Sequence, residues 1–421
     1  MRPSYISLLL HMGNILSCCS RLVKGAPVVT AKSNAPDDVP DFVIKYAPLL
    51  YLHSQDKYLP SDIGAQITNT TPRQEFAGLT GAPSPLTLEN LDQLNTQGKN
   101  GTNIFLTSND DITKNPTWIM GVAPNAEGKT EGATTCAVIV ADKGNGTTDA
   151  FYMYFYAYNW GGTVNIINMN LGNHVGDWEH TMVRFKDGVP QAVWLSAHSG
   201  GQAYKYSVLH KDKAGIRPVV YSSNGSHANY AITGTHNHDN PEFNLPIEGF
   251  VNDHTDTGPL WDPIQSAYWY SWKAPVAAVK KIASPPTPTP AATASPTSFD
   301  GTSVSSPASN ESSISTAATN PTSVSTTSVN AVLPLERTTR VTSLWGTFTP
   351  YDASTPIGYL YYVGRWGDFR YPISDPRQQQ LFGAAWKYDS GPTGPGDKKL
   401  DRKDIWPPGS KNDELLTKLV P

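Results

Sequence analysis

Residues 173–185 read NHVGDWEHTMVRF and gather His174, Asp177, Glu179 and His180 into one short window of a chain in which only 16% of residues are charged. Two carboxylates and two imidazoles this close serve either an oxygen-seeking cation or acid/base chemistry, and a polar strand end holds them equally well. If WEHTMVRF is a strand, successive side chains alternate, so Asp177, Glu179, Thr181, Val183 and Phe185 share one face while Trp178, His180, Met182 and Arg184 share the other. Asp177 and Glu179 then point the same way, and His174 reaches in from the preceding turn. Together the three suit a hard divalent ion, calcium or magnesium, that takes oxygen, an imidazole and several waters. His180 falls behind the sheet as a core histidine.

Eight of the ten histidines lie between His174 and His254. His198 ends a strand in WLSAHSGG and His227 sits in the loop SSNGSHANYA, so both are candidates to close a ligand site around Asp177 and Glu179. GTHNHDNP adds His236, His238 and Asp239, read as a solvated loop. Other chemistries lack their signatures. H-E-x-x-H, structural-zinc Cys/His spacing, a G-x-S-x-G elbow and a P-loop are all absent from the sequence. Cys136 lies in the apolar run CAVIVA, which predicts a buried, inert thiol. Asp177 and Glu179 sit on one wall with no evident opposite wall, so a glycosidase pair is not formed by them alone.

The elements that must carry these residues are strands. TCAVIVA, DAFYMYFYAYNW, HTMVRF, QAVWLSA and RPVVYSS are β-branched and aromatic runs separated by Gly, Asn, Asp and Pro, and helical periodicity is scarce. Asp187-Gly188 between HTMVRFK and VPQAVWLSA predicts a tight hairpin. The Tyr152, Tyr154, Tyr156, Tyr158 stripe is matched by apolar Phe151, Met153, Phe155 and Ala157 on the other face, which predicts a strand covered on both sides. The fold class expected is all-β, a sandwich of antiparallel strands with long loops and few short helices, one of them within DVPDFVIKYAPLLYL.

Residues 1–35 read as a leader or unstructured N-terminus, residues 36–283 as the first part of the sandwich, and residues 284–333 as a Ser/Thr/Pro-rich disordered linker. Residues 334–421 hold Trp345, Trp366, Trp386 and Trp406 and are too few for a core of their own, so they are expected to complete the same domain. A net charge of -4, with a pI near 6.2 and no Lys/Arg run, argues against nucleic acid as a partner. No apolar run reaches the ~20 residues that span a bilayer. Tripeptide acceptors at Asn69, Asn100, Asn145, Asn224 and Asn310 make the chain a candidate glycoprotein of the secretory pathway or vacuole, with extracellular and cytosolic locations as alternatives.

YAPLLYLHSQDKYLPSD (46–62), NHVGDWEHTMVRF, WLSAHSGG, GSHANYA, DTGPLWDP (256–263) and GRWGDFRYPISDPRQ (364–378) together resemble the vacuolar protein sorting-associated protein 62 family of fungi, which has relatives in plants. The resemblance implies a role in delivering proteins to the vacuole and places GRWGDFRYP in the same domain as GDWEH. The Ser/Thr/Pro linker departs from it. The middle third of the chain is also similar to the secreted necrosis- and ethylene-inducing toxins, whose heptapeptide ends in D-W-E. That similarity implies a β-sandwich with a divalent ion held near the motif and sphingolipid sugar headgroups as ligands. Asp177, Glu179 and His174 match the motif, whereas Gly176 replaces its second histidine. The function expected is a non-enzymatic binding module, with a divalent ion at His174, Asp177 and Glu179, ligand contacts from His198 and His227, and a protein cargo or a glycan or lipid headgroup as partner. The alternatives are a secreted or wall-associated lectin-like binder and a metal-dependent hydrolase.

Overall fold

The computed structural model describes residues 33–164, 168–237, 252–275, 345–381 and 383–420. The leader, the linker, Asn310, His238 and Asp239 lie outside the described residues, apart from the last residues of the leader. Thirteen-residue strands Thr147–Asn159 and His174–Lys186 form the centre of an eight-stranded sheet. Outward on one side run Val189–Ala197, Gly200–Lys205 and Leu415–Leu416; on the other run Cys136–Gly144, Ala267–Lys273 and Thr347–Pro350. Neighbours are antiparallel except for Ala267–Lys273 on Cys136–Gly144 and Leu415–Leu416 on Gly200–Lys205, which are parallel.

The turns behave as their chemistry dictates. Asp187-Gly188 links Lys186 to its partner Val189 with φ of 50° and 75°, the doubly left-handed two-residue turn that matches strand twist. Asn145-Gly146, a second signal of the same kind, closes the preceding hairpin with φ of 51° and 71°.

Alternation along the strands sorts the core into two layers. Ile139, Phe151, Met153, Phe155, Trp178, Met182 and Trp194 face the helix Ile63–Thr68, the strand Ile104–Ser108 and the helix Gly358–Tyr361. Val138, Tyr152, Tyr154, Val183, Phe185 and Leu195 face the helix Asp41–Lys45 and a second sheet. That sheet runs Asn229–Tyr230, Val219–Ser222, Leu49–Tyr51, Leu260–Trp261 and makes the sandwich. Its strands are short, so side chains anchor it: the Arg217 guanidinium binds both oxygens of Asp262 at 2.6 and 2.7 Å and donates to Ala47 O at 2.8 Å. The tyrosine stripe is buried throughout, 0–5% exposed from Tyr152 to Tyr158, as its two apolar faces require. Cys136 is buried as well, and burial drives its thiol pKa up.

Described residues before 275 and after 344 cluster as one compact unit. Close backbone contact joins its two ends. A Cβ on Gly176 would lie 2.1 Å from Trp366 O, and one on Gly367 would lie 1.9 Å from Val175 O. Gly176 also holds φ at 69°, so no histidine fits where the toxin motif has one. Trp366 fills the space behind it, edge-on to Trp178 at 5.2 Å, and its carbonyl accepts from the Gln66 amide at 2.6 Å. No helix of the described residues is long and apolar enough to cross a membrane.

Candidate functional site

Strand alternation delivers Asp177 and Glu179 to the face that meets the second sheet, and both are nearly buried, 5% and 6% exposed. His227 from the loop before Asn229–Tyr230, Asp56 from the loop after Leu49–Tyr51, Asp253 from the strand Asn252–Thr255 and His198 from the turn between Val189–Ala197 and Gly200–Lys205 of the large sheet meet at the same place. The His227 side chain is fully buried and stacks on Tyr156 at 3.7 Å with ring planes 3° apart. Its Nδ1 lies 2.9 Å from Asp177 Oδ2, its Nε2 lies 2.8 Å from Tyr58 O, and Asp56 stands 3.6 Å away. Carboxylate and carbonyl accept only, so both ring nitrogens donate and the ring is an imidazolium. Burial opposes that charge, but the hydrogen bond to Asp177 and the nearby Asp56 carboxylate outweigh it and raise the pKa.

His198 is the most open member, its side chain 34% exposed, and its Nε2 meets Asp253 Oδ2 at 2.7 Å. Burial again opposes protonation, yet Asp253, with help from Glu179 and Asp177, lifts the pKa to about 8. Asp253 is itself held by Tyr230 at 2.6 Å and by Ser226. Both imidazoles sit on left-handed backbone, φ 54° at His198 and 57° at His227, a conformation that costs a residue with a Cβ on the order of 1–2 kcal/mol.

Glu179 is the outlier. Burial first, and then the charge of Asp177, push its carboxyl from the ordinary 4.5 up to about 7. Ser196 donates to its Oε2 while accepting from the His180 amide at 2.8 Å. One oxygen of Asp177 and one of Glu179 accept no hydrogen bond from the described residues. His174 stands at the start of the strand, half-buried, with Nδ1 2.8 Å from Gly176 O. His180 falls on the other face, as alternation requires. It is buried and neutral, its pKa pushed well down by burial and then by Arg402, whose guanidinium donates to its Nε2 at 2.8 Å.

Among the described residues, no group of three or more His, Cys, Asp or Glu donors is arranged to hold a metal ion. His227 has no lone pair to offer while both its nitrogens donate. A closed centre of protein donors therefore does not fit these residues. The serines likewise serve carboxylates: Ser196 bonds Glu179 and Ser226 bonds Asp253. Asn100 and Asn145 lie on exposed left-handed turns, while Asn69 and Asn224 are half-buried.

Sequence reasoning missed Asp56, Asp253 and Ser196. Asp56 was within reach, since it lies in YLHSQDKYLPSD; Asp253 carries no local signal at all. His236, expected in a solvated loop, is instead buried and stacks on Tyr230 at 3.7 Å, because the antiparallel pairing of Gly234–Asn237 with Asn252–Thr255 turns it inward.

Residues 27–262 match the family model described as vacuolar protein sorting-associated protein 62. The chain is 32% identical over 397 residues to a Saccharomyces cerevisiae protein named putative vacuolar protein sorting-associated protein TDA6, covering 88% of this chain and 69% of the relative. It is 37% identical over 254 residues to the vacuolar protein sorting-associated protein 62 of the same yeast, covering 56% of this chain and about half, 53%, of that relative. Among solved structures, one described as NLPPya in complex with glucosamine matches 58% of this chain and 79% of its own at 14% identity, with a TM-score of 0.24. A second, described as a toxin fold for microbial attack and plant defense, matches equally loosely, at 14% identity and a TM-score of 0.24. Neither is close enough to transfer a ligand. The family model and the two yeast relatives agree: this chain belongs to the vacuolar protein sorting-associated protein 62 family.

Proposed function

We propose that the chain is a non-enzymatic binding module acting in protein delivery to the vacuole, and that its recognition site is the acidic cluster at Asp177 and Glu179, which takes a hydrated divalent cation. The observation that carries this is Glu179. A buried carboxylate beside a second carboxylate is a stability cost that packing does not require, since a glutamine would keep the Ser196 contact. A cation relieves it. Calcium and magnesium are often held by one or two carboxylates with water or ligand oxygens completing the coordination, which suits a pair of carboxylates that each have one oxygen left over. His198 stands at the open edge, where an imidazolium would meet an anionic or hydroxyl-rich group on the bound partner, a cargo protein or a glycan or lipid headgroup.

Hydrolysis is the poorer reading because His227, with both ring nitrogens donating, has no lone pair to act as a base, and the Ser196 and Ser226 hydroxyls are bonded to Glu179 and Asp253. The test is the thermal midpoint with calcium, magnesium or chelator for the wild type and for Asp177→Asn/Glu179→Gln. A cation at about 100 times its Kd adds roughly 2.7 kcal/mol. The midpoint should rise in the wild type alone; equal response, or none, removes the cation from the proposal.

A further inference from the structure

On the far side of the large sheet, away from the acidic cluster, a cleft of about 450 Å³ opens beside the segment GRWGDFRYP. Its floor is rigid. Arg365 donates its N–H to Ile104 O at 2.8 Å and accepts at its carbonyl from Leu106 N at 2.9 Å, so its backbone is fixed to the strand Ile104–Ser108. Ile104 and Leu106 point into the core, leaving Phe105 with Arg365 on the cleft side. Phe369 packs on Phe105 at 4.9 Å, so two phenyl rings form one wall of the cleft, and Phe76 supports Phe369 from behind at 5.2 Å.

Two features there have no structural explanation. The neighbouring Arg370 is paired with Asp389 at 2.7 Å, but the half-buried Arg365 guanidinium has no carboxylate within 4 Å among the described residues. The turn at the cleft edge also breaks the local rules. Thr70–Gln74 and Ala77–Gly78 are joined by the two residues Glu75 and Phe76, with Glu75 at a φ of 53°. Such a position favours Gly or Asn. Glu75 there is a strained choice at a residue that lines the cleft, the kind of local conflict expected where a surface is shaped for a ligand.

We infer that this cleft binds a carboxylate attached to an apolar group, as at the C-terminus of a hydrophobic peptide, with Arg365 as its anion partner and the Phe105 and Phe369 rings beneath its apolar part. A guanidinium forks onto a carboxylate in plane, and the volume suits a ligand of two or three residues. Glu75 and Asp389 at the rim make a dianionic phosphate the poorer fit. This site is independent of the cation site and stands or falls without it.

The test uses the full chain and ligand-observed NMR titrations with N-acetyl-Leu-Phe as its free acid, the same dipeptide as its C-terminal amide, and phenyl phosphate. The acid should bind saturably, the amide about tenfold or more weakly, and phenyl phosphate more weakly than the acid. Arg365→Gln should reduce the acid to the level of the amide, and Arg365→Lys should restore part of the difference. Equal binding of acid and amide by the wild type overturns the assignment without any variant. So does tighter binding of phenyl phosphate, unchanged binding by a folded Arg365→Gln, or no saturable binding of the acid.

Discussion

Replacing Glu179 by glutamine should stabilise the protein at pH 8. The folded chain holds the Glu179 proton more tightly than the unfolded chain does, since burial and Asp177 raise its pKa from 4.5 to about 7. For a group raised in this way, stability is full below the unfolded value and falls as pH rises through the folded one, here between about 4.5 and 7. At about 1.4 kcal/mol for each tenfold, the charged form costs on the order of 3 kcal/mol. Glutamine is neutral, nearly isosteric, and still accepts from Ser196. Spread over the roughly 300 described residues at ~2.1 cal/mol/K each, that relief is a rise on the order of 5 °C. The assay is a thermal melt by circular dichroism with chelator present, at pH 5, 6, 7 and 8. The variant should melt above the wild type at pH 8, and the gap should close towards pH 5. A variant that melts at or below the wild type at pH 8, or a gap that does not depend on pH, refutes the argument that Glu179 is held against its preference.

His198 should produce a second slope. Its pKa of about 8 lies above the unfolded value of about 6.5, so its pairing with Asp253 stabilises below 6.5 and is lost as pH rises through 8; in His198→Gln the midpoint should vary less between pH 6.5 and 9. Gly367→Ala places a methyl 1.9 Å from Val175 O and should cost more than about 4 kcal/mol, measured by urea unfolding or seen as loss of soluble protein. Asp262→Ala strands the buried Arg217 guanidinium and should cost about 3–5 kcal/mol by the same measurement. Replacing both partners with apolar residues of similar size should cost much less.

Strand alternation made the first half of the site legible. The period of two in WEHTMVRF was enough to put Asp177 and Glu179 on one face and His180 on the other, and Asp187-Gly188 fixed the hairpin that follows. Nearness in three dimensions was not legible. Asp253 reaches the site through the antiparallel pairing of Asn252–Thr255 with Gly234–Asn237, which no local pattern announces, and Asp56 comes from a loop held between the second sheet and the bridge of Pro60 to Tyr156. Nor does sequence distinguish a histidine that offers a lone pair from one that donates twice: His227 becomes a cation only because Tyr58 O and Asp177 meet its two nitrogens. Gly176 shows the reverse. Its departure from the toxin motif looks like a lost ligand in one dimension and is, in three, the space taken by Trp366.

Isothermal titration calorimetry of calcium and magnesium into the chelator-treated protein at pH 6.5, run in two buffers of different ionisation enthalpy, bears most directly on the cation site. Glu179 is largely protonated at that pH, so binding should displace its proton. One saturable site with buffer-dependent heat is predicted for the wild type, and no site for Glu179→Gln. Heat that does not saturate, or an equal site in the variant, would contradict the account.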